Sequence, residues 1–474
     1  MASGSRIVAG QLPYRDFFEE LPVGTDLTYA LLIRLFGLYT WIPGLVMACL
    51  AAAVVLVMTA VAARLMHGPV IILPGLLLVG FVLYASLDAT HHWFSTLAAL
   101  AAMLVLLDGL TPKRVAAAGA LCGLAACFTQ TAGAAAVAGL VTYLIWNARR
   151  RGVRAREWLP KCLLLSGAAA GVFAVVNVYF IRAVGLGRWL FCVVIYPVRY
   201  FHVPDLNNWR IVEHDFWGHP GLSRWVSFPF LYATVPLVYV IFALTFRSRE
   251  KAVDEPWDRL VLVALTGVAL FITIAPSPSV KRLSCVSPPA IILVAWLLNR
   301  PGKLVGMLRT GLGGVAIGLV VAASLYRQTR WRAYLDLPGG RTAFSDQVTL
   351  DEYRWMLAHT HPGQYFFGMP PMLVPFHLVN PTAVVIFDTS EYTRPEWVVD
   401  GVQALKTHPV PLMVLNHGEQ YLLSTHLPSD HNGPFRDYWV QNYRLTKTFP
   451  NGDEVWGKID LRGGTSSSRP VAAD

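Results

Sequence analysis

A short polar segment, residues 84–95, separates two long apolar runs and carries Asp88, His91 and His92. Asp88 and His91 are three residues apart, so one helical turn would place them on the same face, while His92 points elsewhere. A carboxylate beside an imidazole can bind a divalent cation, shuttle a proton or grip a phosphate through a protonated histidine. Two ligands do not specify a metal, and a polar turn that caps two helices explains the same residues. These alternatives stay open.

A second polar segment pairs acids with aromatic residues. It consists of Tyr14, Arg15, Asp16, Phe17, Phe18, Glu19 and Glu20. A carboxylate in a half-apolar niche can act as a general base, because partial desolvation raises its pKa towards the operating pH. Asp16 is the candidate for that role. The alternative is an interfacial anchor, with the aromatic rings among lipid head groups and the charges in water.

Two further stretches have groups suited to a sugar. Gln130, between two threonines, could present its amide to a sugar hydroxyl, or the three residues could be the turn of a helical hairpin. Arg199 and His202 lie among aromatic residues in a long link, where rings can stack on a sugar and polar groups can bind its hydroxyls. A plain surface loop is the alternative for this link.

The composition indicates a membrane protein. Of the 474 residues, 55% are hydrophobic and only 14% are charged, whereas soluble domains have about 25% charged residues. The net charge of +10 does not indicate a nucleic-acid partner, because the cations are spread over short links between apolar runs. In such links they orient membrane spans and meet anionic head groups.

About ten apolar runs have lengths suited to membrane spans. They lie near residues 42–64, 69–87, 92–108, 114–129, 131–147, 159–182, 226–246, 258–275, 283–299 and 304–325. Clusters of Lys and Arg fall on alternate links, which predicts that those links are cytoplasmic. The segments around Asp88, Gln130 and Arg199, the link 276–282 and both ends of the chain then face outward.

Lys281 and Arg282 stand on the outer face, where the positive-inside trend disfavours cations. A phosphate anion at the membrane surface would explain them. The alternative is that both side chains snorkel to lipid head groups.

The topology leaves an outward N-terminal segment of about forty residues with no span before it. Either a span upstream of Met1 is missing from this chain, which we favour, or residues 1–41 lie on the membrane surface. The expected regions are a first outer loop with an amphipathic helix (1–41), a helical transmembrane domain (42–326), a C-terminal extracytoplasmic α/β domain (327–462) and a disordered tail (463–474). In the α/β domain we predict a helix over 350–359, another over 397–407, buried strands over 384–388 and 412–416, and a hairpin around Asn451-Gly452.

The chain resembles the GT-C superfamily of polytopic membrane glycosyltransferases, which includes protein mannosyltransferases and aminoarabinose transferases. The stretch from Gly10 to Gly24 matches the bacterial loop pattern G-x-x-P-Y-R-D-F-F-E-x-x-P-x-G. The segments His91–Ser95 and Phe128–Thr131 are also similar to that group. The resemblance covers the multi-span region and, more loosely, the C-terminal domain.

This resemblance implies a multi-pass enzyme of the bacterial cytoplasmic (inner) membrane. Such an enzyme takes a sugar from a polyprenyl-phosphate donor and passes it to a glycan, lipid or protein acceptor outside the cytoplasm. The family places a base on the first outer loop and a second acid on the next one, which Asp88 matches. The usual first-loop acid lies upstream of the Gly10 stretch, a region that this chain lacks, so Asp16 would substitute or the product would be inactive.

The expected site follows from these assignments. Asp16 and Asp88 are the candidate catalytic acids, with Asp88 orienting the acceptor or a divalent cation. Lys281, Arg282 and His91 would hold the donor phosphate. The candidate contacts to sugar and acceptor are Tyr14, Arg15, Glu19, Glu20, His92, Gln130, Arg199 and His202. The rival functions are a lipid or sugar transporter and a catalytically inactive homologue that acts as a binding or assembly protein.

Overall fold

The computed structural model describes residues 1–83, 88–200, 209–218, 222–249, 256–388, 392–416 and 430–459. Helices build the first two thirds of the chain. In chain order they are α1 (Ala2–Val8), α2 (Gly24–Phe36), α3 (Ile42–Ala62), α4 (Leu73–Leu77), α5 (His91–Leu107), α6 (Pro112–Phe128), α7 (Gln130–Arg150), α8 (Ala155–Val184), α9 (Leu186–Leu190), α10 (Tyr196–Tyr200), α11 (Arg210–Gly218), α12 (Leu222–Trp225), α13 (Ser227–Pro229), α14 (Val235–Arg249), α15 (Trp257–Ile274), α16 (Val280–Val286), α17 (Pro288–Leu297) and α18 (Lys303–Thr329). Short 3-10 or π turns extend several of them, at Pro69–Ile72, Leu78–Leu83, Phe191–Ile195 and Phe230–Thr234.

Six helices among the described residues are long and apolar enough to cross a membrane, or seven if the bent pair α16 and α17 counts as one span. The pair bends by 60°, beside Pro288 and Pro289, which cannot donate backbone hydrogen bonds. Each of the ten predicted apolar runs is helical over most of its described residues. However, α5 and α6 have only 17 residues each, so a count of ten spans stays a prediction.

Small residues let the central helices approach closely. A Cβ atom on Gly119 of α6 would lie 2.2 Å from the Leu165 carbonyl oxygen of α8, and one on Gly123 would lie 2.3 Å from the Ala169 carbonyl oxygen. Such contacts are typical of helices that pack backbone to backbone inside a bilayer. They fix α6, whose C-terminal end reaches the candidate site.

The peripheral helices turn apolar surface outward. Only 22% of the best apolar window of α8 and 11% of that of α18 is buried inside the protein. Val175 on α8 and Met307 on α18 are 75% and 71% exposed. Apolar surface of this extent requires a nonaqueous surrounding, so the protein is embedded in a membrane.

A small α/β region follows α18. Its elements are β1 (Ala333–Leu337), β2 (Gly340–Phe344), α19 (Gln347–His359), β3 (Phe367–Gly368), α20 (Pro395–Thr407), β4 (Leu412–Leu415), α21 (Gly433–Asn442), β5 (Tyr443–Thr448) and β6 (Glu454–Lys458), with a 3-10 turn at Pro370–Met372. Strands β1 and β2 form an antiparallel hairpin, and the other four lie in the order β3-β4-β6-β5, with β3 and β4 parallel.

Most predictions for this region are confirmed: both helices, the strand near Leu412 and the hairpin at Asn451-Gly452 are present. The predicted strand over 384–388 is wrong. That segment has no sheet neighbour among the described residues, and its backbone is held instead by a side chain, since the Thr382 hydroxyl donates to the Val384 carbonyl. The tail 463–474 lies outside the described residues.

Candidate active site

A cavity of about 360 Å³, with several polar side chains in a mainly apolar lining, opens at one end of the central helices. Its polar lining includes Glu20, His91, His92, Gln130 and Arg282. All five are candidate site residues of the sequence, and the fold brings them together from four separate segments. Leu270, Ile274 and Val286 form an apolar part of the wall.

Every internal link that the sequence places on the outer face contributes to this cavity. The first loop supplies Glu20, and the link at Asp88 leads directly into His91. The break between α6 and α7 supplies Gln130. The long link supplies Pro197, and the link before α16 supplies Ser277. The convergence agrees with the predicted alternation of the links.

Helix starts position the polar groups around His91. Helix α5 begins at His91 and α7 begins at Gln130, so both helices present their N-terminal ends to the cavity. The His91 Nδ1 lies 2.8 Å from the Thr129 hydroxyl, which lies 3.0 Å from the Ser95 hydroxyl. The Gln130 amide donates to the Val193 carbonyl at 3.0 Å. Backbone N–H groups at helix starts favour an anion, so this end of the cavity suits a phosphate.

Helix α16 places two cations at the site. Its start is fixed by the Asp215 carboxylate, which accepts from the Val280 N–H at 2.6 Å, and by the Ser279 hydroxyl, which accepts from the Arg282 N–H at 3.3 Å. Arg282 lines the cavity. Lys281 points to Asp88, with Nζ and Oδ2 3.5 Å apart and both side chains about half exposed. Neither is a lining residue, so they stand beside the cavity.

Glu20 belongs to a group of three neighbouring carboxyls. Burial raises the pKa of Glu20, and burial together with Asp26 and Glu20 holds the pKa of Glu19 well above its usual range. Burial also raises the pKa of Asp26 to about 6. The Ser3 hydroxyl donates to Glu19 at 3.3 Å. Glu20 is therefore a lining carboxylate whose affinity for a proton is enhanced, as a general base requires.

Asp16 has a different environment from the one expected. Its carboxylate accepts from the Leu12 N–H at 2.7 Å and from the Arg15 Nε at 2.8 Å, and the hydrogen bond from Arg15 lowers its pKa. It is not a lining residue of the cavity. Tyr14 is 1% exposed, and its hydroxyl donates to the Leu21 carbonyl at 2.7 Å. In this structure Tyr14, Arg15 and Asp16 stabilise the loop that carries Glu20.

The remaining expected contacts lie outside the cavity or outside the described residues. Arg199 is exposed, with its guanidinium 5.5 Å from the Tyr200 ring centroid. His202 lies outside the described residues. No group of three His, Cys, Asp or Glu side chains that could hold a metal occurs in the described ranges.

Sequence reasoning missed two residues that the site uses. Asp215 lies in the long link and has no role in the expected site, yet it is 7% exposed and caps α16. Tyr392, in the C-terminal region, lies beside Glu20, where it opposes the rise in the pKa of that carboxyl caused by burial. Nothing in the sequence near Tyr392 signals this contact, because it joins segments from opposite ends of the chain.

Comparisons with solved structures identify the architecture. No protein-family model matches the sequence, and a search of curated proteins finds no match. The chain is similar to the crystal structure of ArnT from Cupriavidus metallidurans bound to undecaprenyl phosphate, with a TM-score of 0.56 and 14% identity over 98% of this chain and 93% of that one. The apo state of the same ArnT gives a TM-score of 0.57 and 15% identity over the same shares.

At such low identity the similarity establishes the fold and no more. It spans almost the whole of both chains, including the C-terminal α/β region. The resemblance found in the sequence is thus confirmed at the level of architecture: the protein has the fold of the GT-C glycosyltransferases.

Proposed function

We propose that the protein is an integral membrane glycosyltransferase that moves a sugar from a polyprenyl-phosphate donor to an acceptor outside the cytoplasm. The observation that carries this proposal is the cavity itself. A carboxylate, two imidazoles, an amide and a guanidinium converge at the ends of apolar helices, in a fold shared with a protein solved with undecaprenyl phosphate bound.

In the proposed reaction Glu20 is the general base, in place of Asp16. The acceptor hydroxyl oxygen attacks the anomeric carbon while Glu20 takes the hydroxyl proton. The bond from that carbon to the phosphate oxygen breaks, and the lipid phosphate leaves with the bonding electrons. One such displacement inverts the anomeric configuration. Because a phosphate leaves readily, the site needs no strong general acid.

The departing phosphate gathers negative charge, which the cationic side of the cavity would stabilise. Arg282 lines the cavity, and α5 and α7 begin there. Lys281 and Asp88 stand beside it, where Asp88 would hold Lys281 or orient the acceptor. His92 and Gln130, which line the cavity, would contact the sugar.

The test is transfer of label from radiolabelled polyprenyl-phosphate sugars by membranes that contain the protein. We expect Glu20→Gln to abolish transfer, and Glu157→Gln, an exposed carboxyl-to-amide change on α8, to leave it unchanged. Full transfer by Glu20→Gln would remove Glu20 from the reaction. Movement of lipid between leaflets without transfer would favour a transporter, and donor binding without turnover would favour an inactive homologue.

A further inference from the structure

A second cavity, of about 450 Å³, lies on the flank of the bundle between α3, α18 and the turn Leu78–Leu83. Both helices are candidate membrane spans, so this groove opens to the bilayer. Its wall is mainly apolar and includes Ala51, Ala52, Val55, Leu83, Val320 and Ala323. None of the described residues around it lines the candidate active site. The groove is therefore a separate place in the fold.

Short side chains create the groove. Gly80 packs so closely against α18 that a Cβ atom there would lie 2.8 Å from the Ala316 carbonyl oxygen. Beyond that contact, the alanines of α3 and α18 are too short to fill the space between the two helices. Val320 and Arg327 are two helical turns apart, so the groove follows α18 for about 10 Å. An apolar groove of this length suits part of a hydrocarbon chain, which gains dispersion contacts with both walls.

One end of the groove lies at the level of lipid head groups. The Thr40 N–H donates to the Gly339 carbonyl at 2.8 Å, so α3 begins and α18 ends on the side of the bundle that carries the α/β region. Trp41 and Tyr326 are exposed at these two helix ends, and such rings favour the membrane–water interface. Arg327 follows Tyr326 directly, which places this cation at the same depth.

Arg327 lines the groove at this end, and no acid among the described residues pairs with its guanidinium. Arg332 donates to the Arg327 carbonyl and so already supplies a cation to the C-terminal end of α18. The Arg330 guanidinium lies 5.9 Å from the Tyr326 ring centroid. The three cations make this end of the groove positive, and the side chain of Arg327 is available to a ligand.

We propose that the groove binds one anionic phospholipid, with a hydrocarbon chain between α3 and α18 and the phosphate on Arg327. The apolar wall selects the chain, and the guanidinium selects negative charge at the depth where a lipid phosphate lies. A guanidinium can donate two parallel hydrogen bonds to one phosphate, and cations beside membrane spans attract anionic lipids. The bound lipid would hold α18 beside α3 and so support the α/β region that follows α18.

The experiment titrates the purified full chain, delipidated in detergent, with phosphatidylglycerol or with phosphatidylcholine of the same chains. Native mass spectrometry measures the affinity of the first bound lipid. We expect phosphatidylglycerol to bind about fivefold more tightly, the effect of one cation on an anionic lipid. Arg327→Gln should remove this preference, and Ala323→Leu should weaken the binding of both lipids by filling the groove. The matched controls Arg309→Gln and Ala322→Leu, at exposed positions of α18 outside the groove, should behave like the wild type.

Equal affinity of the wild type for the two lipids would overturn the proposal, and so would an unchanged preference in Arg327→Gln or unchanged affinity in Ala323→Leu. A polyprenyl phosphate that displaces phosphatidylglycerol at a lower concentration would assign the groove to the lipid carrier instead.

Thermal unfolding provides a second readout that needs no sugar donor. Because a ligand of the folded state raises the melting temperature, phosphatidylglycerol should raise it more than phosphatidylcholine does in the wild type and in both controls. Arg327→Gln should lose this difference. The same difference in Arg327→Gln as in the wild type would contradict the contact between the phosphate and Arg327.

Discussion

Lys281 Nζ lies 3.5 Å from Asp88 Oδ2, and this pair joins two links that are far apart in sequence. The side chains are 63% and 48% exposed, so the pair contributes only about 0–1 kcal/mol to stability. Any strong effect of its loss on transfer would therefore come from the reaction and not from unfolding.

We accordingly predict that Asp88→Ala lowers transfer by about tenfold, the effect of losing roughly 1.4 kcal/mol of transition-state stabilisation. The melting temperature should not change. Asp108→Ala is the matched control, because Asp108 forms a comparable exposed pair with Arg64 at 2.7 Å, at the opposite end of α5. Equal transfer by both variants would exclude Asp88 from the site.

Asp16→Asn separates the two possible roles of Asp16. Because its carboxylate holds Leu12 and Arg15 in place, we expect the amide to lower the free energy of unfolding by about 1–2 kcal/mol and to retain most of the transfer activity. Thermal unfolding and label transfer measure the two quantities. Loss of transfer with unchanged unfolding would instead restore Asp16 as the base.

The partly buried carboxyls of the first loop predict a stability that falls with rising pH. Burial raises the pKa of Asp26 to about 6, compared with about 3.9 in an unfolded chain. Between these values the folded state binds more protons, so the free energy of unfolding decreases as pH rises through the folded pKa. Asp26→Asn should flatten this dependence in thermal unfolding, and the exposed Asp351→Asn should not. A wild-type slope in Asp26→Asn would contradict the assignment.

Gly24 lets the first loop pack closely against the end of α6, beside the cavity. A Cβ atom there would lie 2.5 Å from the Cys127 carbonyl oxygen at the end of α6. Gly24→Ala should therefore cost about 1–3 kcal/mol of stability and lower transfer by displacing Glu20. Gly171→Ala on α8, where no atom lies within 4 Å, should preserve both. Unchanged stability and transfer in Gly24→Ala would contradict this prediction, because the loop would then accept the added methyl group by moving.

The helical architecture could be predicted because it depends on local properties. Apolar run lengths placed the long helices of the bundle, but not the short helices α9 to α12, and the alternation of cations grouped the links that meet at the cavity. The Asn451-Gly452 turn predicted its hairpin for the same reason: the turn chemistry is contained in a few adjacent residues.

The site could be predicted only in part, because its details depend on contacts between distant segments. Asp16 was the candidate base because of its sequence neighbours Arg15 and Phe17. In the structure, however, Glu20 lines the cavity and Asp16 does not. The β1–β2 hairpin was missed although residues 338–340 read Pro-Gly-Gly, a turn signal. No local pattern could show that Asp215, in the long link, caps α16.

The loop that carries Glu20 is held to the C-terminal region, because the Phe18 N–H donates to the Ala383 carbonyl at 2.9 Å, and this has a consequence for biosynthesis. The loop is made among the first residues and its support only in the last quarter of translation. Helices α3 to α18 can insert into the membrane while the ribosome is still adding the α/β region. The protein is therefore inserted before its site is complete. A chain released before the α/β region is made would still insert into the bilayer, but the loop that carries Glu20 would lack its support. Catalytic activity would therefore indicate complete synthesis, whereas membrane insertion would not.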